Sequence, residues 1–418
     1  MTPKERVLAT LNHQQPDRIA VDFGATPVTG IHVLAIENLR RHYGLEQKPV
    51  RVIEPYQMLG EIDTDLMEIL GVDVIGLSPG DNMFGIFNHG ELKEFKTFWG
   101  QTVLLPKGFN TTIDGNGDLL IYPKGDTSVS ASGKMPKTSY FFDAVLRQEP
   151  IVEEQLDPAD NLEEFMPISE EDLSYWKREV DRVKNSGKAI IANMGGTALG
   201  DIALVPGLNL KAPKGIRDIT EWYMSVIMRP DYIHAIFEKQ VEIALQNLQK
   251  FHNTVGSDID AIFLCGTDFG TQDSQFCGVD TLHELYLPYY KKLNDWVHAH
   301  TNWKTFKHSC GAIEPFMNSF IEAGFDIINP VQFNAVGMDP QHLKDTYGDR
   351  ITFWGGGVDT QKVLSFGTPA EVKKQVQRQC EILSKNGGFV FNTVHNTQAN
   401  VPIENMVAMI DTVTGFKG

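Results

Sequence analysis

The sequence predicts a TIM-type (β/α)8 barrel, and three observations carry that expectation. Eight short apolar runs, near residues 19, 73, 189, 261, 304, 326, 351 and 389, read as strands. A helix-forming stretch follows nearly every one. Nearly every run also ends in Gly, Asn, Asp or His. Eight parallel βα units close into a barrel whose active site lies at the C-terminal strand ends. The competing architecture, a doubly wound sheet, places a Gly-rich phosphate loop after an early strand. Gly355-Gly-Gly357 is glycine-rich, but it falls late and lacks the G-x-G-x-x-G spacing. Residues 1–418 are read as a single barrel domain with an N-terminal helical extension and a β-hairpin insertion over 84–142.

The elements follow in chain order. A first helix is expected over 2–11, with Thr2 as N-cap, Pro3 at the first helical position and Glu5 completing a capping box. Asp17-Arg-Ile-Ala-Val-Asp-Phe-Gly24 reads as a buried strand ended by glycine. Helices over 31–43 and 63–70 precede a strand over 72–77. Residues 84–142 differ: short β-prone runs alternate with turns such as Asp114-Gly-Asn-Gly117, the pattern of antiparallel hairpins. From residue 160 onward helix and strand alternate. Helices are expected over 170–185, 230–255, 281–300, 313–323, 338–347, 369–385 and 403–414. The intervening strands start at 189, 261, 304, 326, 351 and 389.

Bulk properties narrow the function. With 418 residues, 42% of them hydrophobic, the chain can bury a sizeable core. A net charge of −17 argues against nucleic acid, which needs clustered Lys and Arg, and against an anionic membrane surface. No apolar run approaches the length of a membrane span. The first residues are too charged for a signal peptide. The four cysteines Cys265, Cys277, Cys310 and Cys380 are too few for a disulfide scaffold and read as reduced thiols or metal ligands. A cytoplasmic location is the resulting expectation.

The densest chemistry lies in Lys304-Thr-Phe-Lys-His-Ser-Cys-Gly311. Residues i and i+2 of a strand point to the same side, so His308 and Cys310 converge at the strand's end. Imidazole nitrogen and thiolate sulfur suit Zn²⁺. The bland reading is a small buried Cys beside a backbone-bonded His. His395, just past the last strand in Phe391-Asn-Thr-Val-His-Asn-Thr-Gln398, tips the balance. In a closed barrel every strand end faces one mouth, so His395 can reach the earlier pair. Three ligands and one open position make a catalytic zinc site. Cys265, also at a strand end, is the rival third ligand. Cys277 falls in a loop, and Cys380 packs mid-helix. His13, His89, His298 and His300 read as surface residues.

Other polar residues at strand ends form a ring of amides and acids: Asp22, His32, Asn193, Asp268, Gln272, Asn329, Gln332, Asp359, Gln361, Asn392 and Gln398. Few cations join them, which disfavours a phosphate site. Asp268 and Asp359 are either helix N-caps or groups that support a ligand and handle protons. Arg217 and Arg229 read as surface arginines or carboxylate binders.

Several of these segments together resemble the uroporphyrinogen decarboxylase superfamily. They are Val7-Leu-Ala-Thr-Leu-Asn-His13, Pro16-Asp-Arg-Ile19, Gly270-Thr-Gln272, Lys307-His-Ser-Cys-Gly311, Phe353-Trp-Gly-Gly-Gly-Val-Asp359 and Gly387-Gly-Phe-Val-Phe-Asn392. The resemblance covers nearly the whole chain and implies a TIM barrel. True decarboxylases of the superfamily carry an N-terminal Arg-Gln-Ala-Gly-Arg motif that binds porphyrinogen carboxylates. Here the matching place reads Asp22-Phe-Gly-Ala-Thr-Pro27, with no arginine. The resemblance therefore points to the cobamide-dependent methyltransferase branch, where a zinc held by His-x-Cys and a late Cys activates a thiol. His308 and Cys310 match the first two ligands, and His395 stands where the late Cys is found. One thiolate and two neutral imidazoles make a stronger Lewis acid than two thiolates. An oxygen- or nitrogen-bound methyl substrate is thus expected in preference to coenzyme M.

The resemblance implies a corrinoid carried by a partner protein, a small-molecule methyl donor or acceptor, and a homodimer. Asp268, Gln272 and Asp359 are the expected catalytic residues. His32, Asn193, Asn329, Gln332, Gln361 and Asn392 are the expected substrate contacts. Two alternatives are a metal-free decarboxylase using Asp22, and a non-catalytic barrel binding a tetrapyrrole or a partner.

Overall fold

The computed structural model describes residues 1–416. Its central sheet has eight parallel strands: β1 (Ala20–Val21), β2 (Val74–Leu77), β3 (Ala189–Ala192), β4 (Ala261–Cys265), β5 (Lys304–His308), β6 (Ile327–Asn329), β7 (Thr352–Trp354) and β8 (Phe389–Phe391). They pair in the order β1-β8-β7-β6-β5-β4-β3-β2. Between β1 and β2 the Asp73 N–H donates to Val21 O at 2.8 Å. The Val21 N–H donates back to the Asp73 carboxylate at 2.9 Å. The sheet is thereby drawn into a barrel, as the eight apolar runs predicted.

Strand alternation divides the core in two. Inward-facing Ala20, Val74, Ile191, Phe263, Phe306, Ile327, Trp354 and Val390 fill the barrel. Residues of opposite parity pack against the surrounding helices. Phe263 stacks on Phe306 with ring centroids 5.2 Å apart, and Phe306 meets Trp354 edge-on at 5.4 Å. The first helix, Pro3–Leu11, starts with the predicted capping box. Its Val7 and Leu11 join the inner cluster and plug the barrel's N-terminal end. The buried Asp73 at that end is held by Arg6 at 2.7 Å and Arg18 at 2.8 Å. Paired on both sides, its charge avoids the several kcal/mol that an isolated buried carboxylate costs.

The β-rich part builds two four-stranded sheets. One holds Thr111–Ile113, Leu119–Ile121, Gly133–Met135 and Asp143–Ala144, all antiparallel neighbours. The other pairs Leu92–Lys96 and Thr102–Pro106 with two earlier strands, Val50–Glu54 and Leu59–Gly60. These earlier strands have no counterpart in the sequence reading. Val50–Glu54 pairs antiparallel with Leu59–Gly60 just after it, and in parallel with Thr102–Pro106, a strand that comes only after β2.

Two helical details also differ from expectation. The segment 281–300 is two helices, Val279–Leu285 and Leu287–His300. Pro288 lacks the N–H that a continuous helix would need, so the chain breaks at Tyr286. A further helix, Ile219–Met228, is capped by Asp218, which accepts from Glu221 N–H at 2.8 Å. Among the described residues no helix is long and apolar enough to cross a membrane.

Candidate metal centre

The site is built outward from β5. Alternation turns Phe306 and His308 into the barrel and Lys307 away from it. His308 is 3% exposed and sits in register with Asn329 of β6. The Asn329 side-chain N–H donates to Trp354 O at 2.6 Å, so its Oδ1 must face the imidazole. His308 Nδ1–H donates to that oxygen at 2.5 Å. The tautomer is thereby set, and the Nε2 lone pair points into the mouth.

Beyond His308 the chain turns back on itself. Gly311 adopts φ +89°, and a Cβ there would lie 2.3 Å from the Gly270 carbonyl carbon. Glycine at this position lets the loops after β4 and β5 touch backbone to backbone. The turn brings Cys310 Sγ to 3.4 Å from His308 Nε2. The Cys310 N–H donates to Asp268 Oδ1 at 2.6 Å, and that carboxylate lies 3.6 Å from His308 Nε2. His395 reaches across from the loop after β8, its ring centroid 5.8 Å from that of His308. Neither of its ring nitrogens has a hydrogen-bond partner among the described residues.

Ligand atoms of His308, Cys310 and His395 all lie within 4.8 Å of one another. Tetrahedral zinc with ordinary bond lengths would place a nitrogen and a sulfur about 3.6 Å apart. The triad therefore fits a small tetrahedral ion with modest inward adjustment. Its electrostatics agree. Burial pulls both imidazoles down to about 4, so each offers a lone pair at neutral pH. Burial, with Asp268 adding to it, pushes the Cys310 thiol up. Metal uptake would therefore release a proton from Cys310. Burial also pushes the Asp268 carboxyl up.

The remaining expected site residues divide into those near the mouth and those spent on the scaffold. Gln332 accepts Gly311 N–H at 2.7 Å and donates to Gln272 at 3.2 Å, bracing the turn that carries Cys310. Asp359 accepts Gln361 N–H at 2.8 Å, and Gln361 accepts from Asn334 at 2.9 Å. Asp359 is thus occupied in capping its own loop. Asn193 follows β3, its N–H donating to Leu77 O at 2.9 Å.

His32, Asn329 and Asn392, expected as substrate contacts, bond to the scaffold. His32 caps the helix Val33–His42 through Leu34 N–H at 3.1 Å, and its other nitrogen meets Tyr140 O at 3.0 Å. Asn392 is fully buried and donates to Asp22 O at 2.6 Å and Thr29 O at 3.1 Å. Asn329 is committed to His308 and Trp354. All three are polar at strand or loop ends because buried backbone groups and the imidazole need partners there.

Cys265, the rival ligand, lies on the helix side of β4, with Sγ 3.1 Å from Tyr290 Oη. Two further residues belong to the neighbourhood. Asp201, in the loop after β3, packs its Oδ2 against Gly266, and burial with nearby Asp268 lifts its carboxyl to about 6. Lys307 lies behind the site. The position of Asp201 after a glycine-rich segment was the one sequence signal for it; Lys307 gave none.

Fold and site together define a (β/α)8 barrel with a His-Cys-His cluster at its C-terminal mouth. The uroporphyrinogen decarboxylase (URO-D) family matches residues 143–416, and the chain belongs to that family. Among solved structures it is similar to a methyltransferase from Methanosarcina mazei. The match has 14% identity and a TM-score of 0.54, and covers 100% of this chain and 99% of that one. A GH113 β-1,4-mannanase is similar at 11% identity over 57% of this chain and 78% of its own, with a TM-score of 0.26. No curated protein matches the sequence.

Proposed function

We propose that this chain is a zinc-dependent methyltransferase that moves a methyl group between a small molecule and a corrinoid carried by a partner protein. The observation that carries the reading is the convergence of His308, Cys310 and His395 at the barrel mouth. Zinc bound there would supply Lewis-acid polarisation of the substrate's heteroatom. Asn329 keeps His308 in the tautomer that presents Nε2. Gln332 and Asp268 hold the backbone of the Cys310 turn. The Asp268 carboxylate, near both His308 and the opening, can hold a proton when the heteroatom changes its bonding. Gln272, hydrogen-bonded to Gln332, extends this wall toward the substrate. The plug of Val7 and Leu11 closes the opposite end, so substrate and partner approach from the mouth. Two imidazoles and one thiolate favour an oxygen- or nitrogen-bound methyl group. Both O-demethylation and methylcorrinoid:acceptor transfer are within its scope.

The decarboxylase alternative assigned the key polar role to Asp22. That residue is fully buried, with Ala25 N–H on one oxygen and the Trp354 indole N–H on the other, each at 2.9 Å. With no exposed surface, it is not open to a porphyrinogen at the mouth. The test is methyl transfer to cob(I)alamin from methyl aryl ethers and methylamines, followed by loss of the cob(I)alamin absorbance. Transfer by the zinc-loaded protein that drops to background in His308→Ala is the expected result. Uroporphyrinogen decarboxylation with no cobalamin methylation would contradict it.

A further inference from the structure

Lys307 carries a charge in a place built for apolar side chains. It points from β5 toward the helices and is fully buried. Its Nζ donates to Thr267 O and His308 O, at 2.5 Å each. The faces of Phe269, Tyr290 and Phe320 surround it at 5.1, 5.8 and 5.5 Å. Carbonyls and π-faces lower the cost of burying an ammonium, but a well-packed Met or Leu would avoid that cost altogether. The lysine therefore has to be explained by what it grips.

It grips the two strand ends that bear the metal centre. Thr267 precedes Asp268, and His308 is itself a candidate ligand. Two more bonds join the same segments. Phe269 N–H donates to Ser309 Oγ at 2.9 Å, and Cys310 N–H donates to Asp268 Oδ1 at 2.6 Å. Residues 267–269 and 308–310 are thus laced together, with the ammonium bonding to both from behind. We infer that Lys307 is a positioning residue of the metal centre, fixing the ends of β4 and β5 so that His308, Cys310 and Asp268 keep their spacing. The inference rests on the metal reading given above.

Metal-free wild type, Lys307→Met, Lys307→Arg and Phe325→Leu are titrated with Zn²⁺ against a chromophoric chelator, and Co²⁺ spectra are taken at saturation. Lys307→Met should bind zinc at least about 10-fold more weakly, the scale of a lost supporting contact. Its thiolate-to-cobalt absorption should also be altered at saturation. Lys307→Arg, which keeps the donors, should recover part of the affinity. Phe325→Leu, which loosens the packing behind Tyr290 and Phe320 but keeps the ammonium and the three rings around it, should bind zinc as the wild type does. Wild-type affinity and cobalt spectrum in Lys307→Met would overturn the inference alone. So would equal weakening in Phe325→Leu, which would assign the effect to packing. A wild type that binds neither metal would overturn the metal reading and this inference together. Should Lys307→Met not fold, wild type labelled with ¹⁵N-lysine decides. The shielded ammonium resonance missing from Lys307→Arg should move on zinc addition, and an unmoved resonance overturns the inference.

Discussion

At the scale of single residues, the site depends on which atoms are already engaged. His308 is useful because Asn329 occupies its Nδ1–H, and Asn329 can do so because Trp354 O holds its amide the right way round. Asn329→Ala would leave that N–H unpaired in a buried setting and free the ring to turn. Zinc affinity should fall about 10- to 100-fold, read by chelator competition, with the fold intact by circular dichroism. An unchanged affinity would remove Asn329 from the site. The convergence of the His308, Cys310 and His395 side chains was legible in the sequence. Strand alternation converged His308 and Cys310, and barrel closure delivered His395 to the same mouth. The role of Asn329 was not legible. An amide at a strand end reads the same whether it faces a substrate or an imidazole on the next strand, and only the β5–β6 register separates the two. The scaffold bonds of His32 and Asn392 were hidden for the same reason. Their partners, Leu34 and Tyr140 for one and Asp22 and Thr29 for the other, are backbone groups.

At the scale of elements, the barrel is closed below by the N-terminal helix and open above at the site. Leu11 is 3% exposed within the inner cluster. Leu11→Ala should cost about 2–5 kcal/mol in urea unfolding, the range for a buried Leu truncation, and leave zinc binding unchanged. A loss of zinc in a folded Leu11→Ala protein would mean that the plug, and not the mouth alone, shapes the site. The eight strands were readable because each is a short apolar run between turn-forming residues. What escaped was set in part by distant partners. The strand Val50–Glu54 finds its parallel neighbour only after β2 has intervened. The break at Tyr286 was available in principle, since Pro288 cannot sit inside a helix, but an unbroken amphipathic pattern masked it.

At the scale of the whole molecule, stability and metal binding carry separate signatures. Burial lifts the Asp22 carboxyl from 3.8 to about 6. Between those values the folded state holds a proton that the unfolded state has lost, so stability falls as pH rises through this window. The contribution is complete below pH 3.8 and gone above about pH 6, and a shift of that size corresponds to about 3 kcal/mol. Urea midpoints of the wild type should therefore drop more steeply from pH 4 to pH 7 than those of Asp22→Asn. Parallel pH profiles would show that Asp22 does not titrate this way. Metal binding should draw on different residues, and it is the centre of the account. The decisive measurement is the zinc content, after reconstitution, of the wild type and four single variants. The account predicts stoichiometric zinc in the wild type and in Cys265→Ser, and loss of zinc in His308→Ala, Cys310→Ser and His395→Ala. Zinc fully retained by His395→Ala, or lost from Cys265→Ser, would contradict it.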